Sequence, residues 1–332
     1  MIIKSVKLFN FRNHTKYKLD CDDKTSLIIG ENGSGKTSVL EAIYILMQGK
    51  SFRATDPEII KRGTEYYRVE LEYKNGETNI VTYDGKNKYF LIMDKKSRRL
   101  PKKNKYPIIL FQPSDLNLIS HAPSRRRDYF DRIFSQFDEN YASNLHKYEK
   151  ALKQRNELLK NENTTKESVF SWNILLAKYG VDLYKSRQKF IDEINSKFTN
   201  IYRSIADNKD EINIIYKTEV SKPDDNNYLQ TLEKNFQKDL YLGHTSFGVH
   251  KDDYVFEFNH KIADGSASRG ESRSIILALK FIEADLIYQK TNLKPIILLD
   301  DVFSELDESR RKCLVKNFKD NQVIITSVEK ID

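Results

Sequence analysis

Eight consecutive residues, Gly30-Glu31-Asn32-Gly33-Ser34-Gly35-Lys36-Thr37, follow the pattern G-x-x-x-x-G-K-[ST]. The three glycines let successive backbone N–H groups turn inward around phosphate oxygens. Lysine and a hydroxyl complete the chemistry. Lys36 can reach the β- and γ-phosphates of a nucleoside triphosphate, and Thr37 can hold Mg²⁺, with Ser38 a neighbour in the site rather than the expected ligand. A Gly-rich turn with a chance lysine is the plainer alternative, but the flanks argue against it. Thr25 to Ile29 is a short β-rich run, and apolar residues at 39, 40, 43, 46 and 47 give helical spacing over Ser38 to Met47. The loop therefore joins a strand to a helix whose positive N-terminal end favours anions.

A second set of chemistry-bearing residues lies far along the chain. Lys294 to Leu299 is a proline-led apolar run ending in Asp300-Asp301, as expected of a central parallel strand with functional residues at its C-terminal end. Asp300 suits Mg²⁺, usually through water, and Asp301 is placed to orient or deprotonate the water that attacks a γ-phosphate. Alone, such a strand end is common; beside a phosphate loop it acquires a role. Ser268-Arg269-Gly270-Glu271 opens a helix with apolar residues at 275, 276, 279, 282 and 286. Ser268 is either a simple N-cap or, with Gly270, a phosphate reader whose customer is the ATP of another subunit. Arg12, in a turn after the Ile2 to Phe9 strand, either forks a phosphate or is a solvated turn residue.

The elements that must position these residues are legible from pattern. Glu70 to Tyr73, Asn79 to Tyr83 and Lys88 to Met93 are strands separated by Asn75-Gly76 and Asp84-Gly85, an antiparallel meander. Lys95 to Lys105 holds seven basic residues and no acid, an exposed loop that either clamps a phosphodiester backbone or is simply solvated. Pro107 to Phe111 reads as a buried strand, followed by Gln112 and a turn over Pro113 to Ile119. Apolar residues from Phe130 to Leu159 mark one long amphipathic helix. After a polar break at Lys160 to Glu167, those from Trp172 to Ile201 mark a second of similar length, making an antiparallel hairpin arm. Glu211 to Tyr216 is a strand, Lys222 to Asp225 a loop, Tyr228 to Leu242 a helix and Gln322 to Ile325 the last strand. The expected division is an ATPase head over 1–124 and 243–332, with a helical lobe inserted at 125–242.

Lys plus Arg exceed Asp plus Glu by 56 to 48 in 332 residues, which makes polyanions plausible partners. Only Cys21 and Cys313 are present, so neither a disulfide framework nor a CxxC zinc site is written, and a reducing cytoplasm fits. The sequence has no run of eighteen apolar residues and no basic-then-apolar N-terminal segment, the pattern of a soluble chain without membrane partner or visible export signal.

Phosphate loop, Ser-Arg-Gly-Glu signature, Asp-Asp strand and Ser304-Glu305-Leu306-Asp307, in that order, resemble the α/β ABC-type ATPase head shared by the SMC and Rad50 proteins. More narrowly the chain resembles the RecF family of bacterial recombination mediators. This rests on Pro113-Ser114-Asp115-Leu116 through Pro123 to Arg125-Arg126-Arg127 and Asp131, on Gly248-Val249-His250-Lys251-Asp252-Asp253, and on Ser304 to Asp307 followed by Arg310 or Arg311. The resemblance implies an ATP-gated homodimer. Lys36, Thr37, Asp300 and Gln112 hold nucleotide and Mg²⁺ in one subunit, while Ser268, Arg269, Gly270 and Asp307 join the cofactor-binding set, Ser268 and Gly270 covering the γ-phosphate of the other subunit. Asp301, Lys36 and Gln112 form the catalytic group. It further implies binding of gapped or junction DNA and help to RecO and RecR in loading RecA. Most such heads carry glutamate where Asp301 stands, and the shorter carboxylate predicts slow hydrolysis. No histidine follows the last strand, which leaves Thr326 or Ser327 in place of a switch histidine. A transporter ATPase would carry a Leu-Ser-Gly-Gly-Gln signature. A chromosome-organising SMC protein would have hundreds of coiled-coil residues, and an overcoming-lysogenization nuclease an appended acidic domain for which the chain is expected to be too short.

Overall fold

A computed structural model describes residues 1–220 and 224–328, so Lys222 and Pro223 of the expected loop lie outside the described residues. The chain divides into two units, Met1–Asp115 with Glu283–Asp332, and Leu116–Ile282.

In the first unit, β1 (Ile3–Phe11) buries Ile3, Val6, Leu8 and Phe11, and runs two residues past the expected end. Arg12, at φ 56°, turns the chain into β2 (His14–Asp20), a strand not foreseen because its residues are mostly exposed and lack apolar alternation. Pairing with β1 supplies what the pattern lacks. Then follow β3 (Thr25–Ile29), α1 (Lys36–Gln48), the single turn α2 (Asp56–Ile59), β4 (Tyr67–Tyr73), β5 (Thr78–Tyr83), β6 (Lys88–Ile92), β7 (Lys95–Ser97) and β8 (Ile108–Phe111). The Lys95 to Lys105 stretch is thus not all loop. Met93 and Asp94 take positive φ and fold β7 back on β6, where Lys96 lies 4.1 Å from the Tyr89 ring centroid.

The second unit holds α3 (Pro123–Phe137), α4 (Glu139–Leu159), α5 (Lys166–Ala206), β9 (Ile212–Lys217), α6 (Asp225–Lys234), α7 (Phe236–Leu242), β10 (Asp253–Phe258), β11 (Lys261–Ile262) and the short α8 (Ala263–Ser266). The single helix expected over Phe130 to Leu159 is two. Asp138 leaves the helical region at φ −128°, and its carboxylate accepts the Tyr141 N–H to start α4 afresh. The two arm helices are also unequal, 21 residues against 41. They run antiparallel, since Tyr141, Asn144 and Arg155 bond Arg187, Asp182 and Asn173 in descending order. The helix expected over Tyr228 to Leu242 likewise breaks, at Asn235. A three-stranded sheet β11-β10-β9 completes the unit. Its β9 edge is occupied by side chains of α5: Asn195 and Thr199 each both donate to and accept from the strand backbone, at Ile214 and Ile212.

The chain continues through α9 (Arg269–Thr291) to β12 (Ile296–Asp300), α10 (Glu308–Asn317) and β13 (Val323–Ser327). The last strand takes in Thr326 and Ser327, beyond its expected end. The first unit contains a six-stranded antiparallel sheet, β2-β1-β4-β5-β6-β7, and a four-stranded parallel sheet, β3-β13-β12-β8. Every residue of β8, β12 and β13 is buried, which is why these strands read as continuous apolar runs. Parallel pairing aligns Ile29 with Ser327, Thr326 with Asp300, and Leu299 with Phe111. The carboxyl ends of all four strands therefore meet at one edge, carrying Gly30, Thr326, Asp300 and Gln112.

Candidate nucleotide site

The phosphate loop leaves β3 at that edge. Lys36 folds back over it, its ammonium donating to Gly30 O at 2.7 Å and Glu31 O at 3.1 Å and lying 3.8 Å from Asp301 Oδ2. The side chain is only 5% exposed, so the charge is held inside the loop. The turn between β1 and β2 grips the loop from outside. Asn13 donates to Gly33 O at 3.1 Å and His14 Nε2 to Gly35 O at 3.2 Å. These bonds fasten the loop through two of its carbonyls. Gly35 has φ 98°, and a Cβ there would fall 2.4 Å from His14 Nε2. Only glycine fits.

Thr37 Oγ1 donates to Asp300 Oδ1 at 2.7 Å, which joins the first helix to the end of β12. Thr326 braces both aspartates: its Oγ1 lies 3.1 Å from Asp300 Oδ1 and accepts the Asp301 N–H at 2.9 Å. Asp301 sits at φ 52° and its Oδ1 is buried without a hydrogen bond. Burial pushes this carboxyl up from the usual carboxylate range, opposed by Lys36 and reinforced by Asp300. Gln112, one residue beyond β8, exchanges hydrogen bonds with Asp115: its N–H donates to Oδ2 at 3.1 Å and its carbonyl accepts the Asp115 N–H at 2.9 Å.

A cavity of about 780 Å³ opens beside the loop, lined by Arg12, Asn13, Asn32, Gly33, Gly35, Lys36, Thr37, Ser38, Arg53, Lys61, Arg62 and Asp301 among others. Its wall is cationic. Arg12 lines this cavity and is not a plain solvated turn residue: its Nε and Nη2 donate to Glu41 at 2.9 and 2.7 Å and its Nη1 to Glu58 O at 3.0 Å. Glu41, Arg53, Asn13, His14, Lys61 and Arg62 were not foreseen. One signal was available, since Glu41 is an acid inside an otherwise apolar stretch of α1, Val39-Leu40-Glu41-Ala42-Ile43.

Other expected residues lie elsewhere. Ser268, Arg269 and Gly270 open α9 in the second unit. Ser268 Oγ accepts the Glu271 N–H at 3.2 Å while its own N–H donates to Glu271 Oε2 at 2.6 Å, a reciprocal cap that leaves Ser268 and Arg269 exposed. Asp307 caps α10, accepting the Arg310 N–H at 3.0 Å and pairing with the Arg310 guanidinium. The backbone bond from Arg310 holds its carboxyl below the usual range.

A phosphate loop and paired aspartates at the carboxyl edge of a parallel sheet define a P-loop ATPase, built on an ABC-type α/β head. Residues 1–278 match the family model for the AAA ATPase domain. The chain belongs to the RecF family of DNA replication and repair proteins. It is 35% identical to the DNA replication and repair protein RecF of Ruminiclostridium cellulolyticum over 99% of this chain and 93% of that protein. With its counterpart in Clostridioides difficile the identity is 34%, over 99% and 92%. Among solved structures it is similar to the recombination mediator protein RecF of the RecFOR pathway, with ATPrS (TM-score 0.89, 30% identity, 99% of this chain and 92% of that one) and with ATP (TM-score 0.88, 30% identity, 100% and 93%).

Among the described residues no helix is long and apolar enough to cross a membrane.

Proposed function

We propose that this ATPase is an ATP-gated homodimer that binds gapped or junction DNA and assists RecO and RecR in loading RecA, with slow hydrolysis serving as the release step. The observation that carries the reading is the division of labour between two helix starts. The loop before α1 supplies Lys36 and Thr37, whereas Ser268 and Arg269 are exposed at a helix start in a unit with no phosphate loop of its own. In the dimer, Ser268, Arg269 and Gly270 of one subunit would cover the γ-phosphate held by the other, with Asp307 nearby in the same composite site. ATP then acts as an adhesive, and loss of the γ-phosphate loosens it.

Mg²⁺ suits the donor set: the hydroxyl of Thr37 and the carboxylate of Asp300 are hard oxygen donors already within hydrogen-bond distance of each other. Thr37, Asp300 and Gln112 would hold the ion, which when bound would neutralise charge on the phosphate oxygens. Asp301, with a buried unpartnered oxygen and a carboxyl pushed up by burial, is suited to take a proton from the attacking water at Oδ1. Lys36 orients the phosphates.

Sedimentation velocity tests the dimer. With a non-hydrolysable ATP analogue the protein should sediment as a dimer. Ser268→Arg should still bind ATP yet remain monomeric, because the long cation obstructs the composite site without touching the phosphate loop. A Ser268→Arg variant that dimerises normally would remove the trans role.

DNA binding has a separate test. Lys95, Lys96, Arg98, Arg99, Lys102, Lys103 and Lys105 are all exposed. Lys50 and Lys102 add to the positive charge around Lys105. Neutralising the patch should weaken DNA binding and flatten its salt dependence, by roughly 0.9 in the logarithmic slope for each duplex phosphate left without its cation. Unchanged affinity and slope would make the patch a solvated surface.

A further inference from the structure

The mechanism above makes no use of Glu41, a buried acid whose two arginine partners line the nucleotide cavity. Glu41 is wholly excluded from solvent, one turn beyond the lysine and threonine of the phosphate loop. Its two oxygens collect five hydrogen bonds: two from Arg12, two from Arg53 at 3.0 and 2.9 Å, and one from Ser51 Oγ at 2.6 Å. Ser51 Oγ in turn accepts the Arg53 and Ala54 N–H groups, fixing the loop that delivers Arg53. Burial alone would push the Glu41 carboxyl up; the hydrogen bonds from Arg12, Arg53 and Ser51 overcome this and hold it below the ordinary range.

The two arginines are only partly buried, 22% and 36% exposed, and both line the nucleotide cavity. One edge of each guanidinium thus faces a dry carboxylate; Arg12 Nη1 gives one of its hydrogens to Glu58 O and keeps the second, and both side chains border the wet cavity. Arg53 Nη2 also reaches Ser38 Oγ at 3.3 Å, while its Nη1 has no hydrogen-bond partner among the described residues.

We propose that Glu41 is a positioning residue of the nucleotide site, fixing Arg12 and Arg53 at the cavity wall so that their remaining N–H donors are presented to a polyphosphate. Two like charges on one cavity wall repel, and their long side chains have many rotamers; a shared buried counter-ion removes both costs before the ligand arrives. Glu41 touches no ligand itself and acts through the two arginines. The inference rests on the ATP-binding reading of this cavity.

The isosteric change Glu41→Gln separates positioning from mere charge balance. Were Glu41 only a negative charge near an anion site, its removal would tighten ATP binding. As a positioning residue its removal should weaken binding about tenfold by calorimetric titration, through loss of preorganised charge-assisted bonds. In an Arg12→Ala/Arg53→Ala background the same change should lower affinity by less than about twofold, because a residue acting through partners has no effect without them. Glu41→Asp keeps the charge but cannot reach both arginines, should lose affinity by about threefold, and serves if the glutamine variant fails to fold. Unchanged or tighter ATP binding by Glu41→Gln, an undiminished effect in the double-alanine background, or wild-type affinity in Glu41→Asp would overturn the proposal. Absence of ATP binding by the wild-type protein would instead overturn the nucleotide reading of the cavity.

Discussion

Replacing Lys36 with alanine should abolish ATP binding, lowering affinity by at least about 100-fold, or some 2.7 kcal/mol. Three losses add. In the proposed nucleotide site the ammonium would be the loop's own phosphate ligand, and a charge-assisted hydrogen bond of this kind contributes about 1.5–3 kcal/mol. It is also the cation nearest Asp301, at 3.8 Å; without it a partly buried carboxylate faces the incoming phosphates unopposed. Finally, neither arginine can leave the cavity wall to take the place of Lys36 inside the loop, because Glu41 anchors both. Calorimetric titration with ATP measures the outcome. A melting curve of the nucleotide-free variant must accompany it, since Lys36 also ties Gly30 O and Glu31 O together. Affinity within threefold of wild type in a folded variant would mean that the phosphates are bound elsewhere.

How much of this site could be read in advance depended on whether contacts were local. Gly30 to Thr37 is contiguous, so its spacing alone announces strand, loop and helix. Asp300 and Asp301 were legible because a buried parallel strand is apolar on both faces and its last residues fall at the functional edge. The Arg12–Glu41–Arg53 cluster was not, since three residues on a turn, a helix and a loop become neighbours only through tertiary packing. The break at Asp138 was hidden for another reason: Phe134 and Tyr141 keep helical spacing across it, so periodicity continues where the backbone does not. β2 and β7 escaped because edge strands rich in Lys carry little apolar signal. The two motifs that pointed most narrowly to the RecF family, Arg125-Arg126-Arg127 with Asp131 and Gly248 to Asp253, carried no visible chemistry in sequence. In the fold they clasp each other. Arg126 forks Asp253 at 2.7 and 2.8 Å, Arg127 donates to Asp252 O at 2.6 Å, and Arg187 bridges Asp131 to Asp252.

That clasp predicts a large loss of stability in the second unit when its central cation is removed. Arg187, 2% exposed, donates to both oxygens of Asp131 at 2.9 and 3.0 Å, to Asp252 Oδ2 at 3.1 Å, to Val249 O at 2.7 Å and to the Tyr141 hydroxyl at 2.9 Å. Tyr141 and Tyr216 complete the ring by donating to Asp131 and Asp252. Burial already pushes the Asp252 carboxyl up, against the pull of Arg187. Arg187→Met keeps the apolar stem and removes the charge, leaving two carboxylates and a carbonyl short of their donor, with Asp252 cut off from water and Asp131 only partly exposed to it. Stranding a buried charge costs roughly 3–5 kcal/mol. At about 2–4 °C per kcal/mol for a domain of this size, the melting transition should fall by around 10 °C. Arg187→Lys should lose less, because it restores the charge but not the fork. The sharper check is a compensated variant: adding Asp131→Leu and Asp252→Leu to Arg187→Met should recover much of the loss, since a buried ionic cluster is costly to break and cheap to replace whole. Recovery would identify the penalty as stranded charge. An Arg187→Met protein that melts within two or three degrees of wild type would mean that solvent reaches the cluster and that the two family motifs are not held together by this guanidinium.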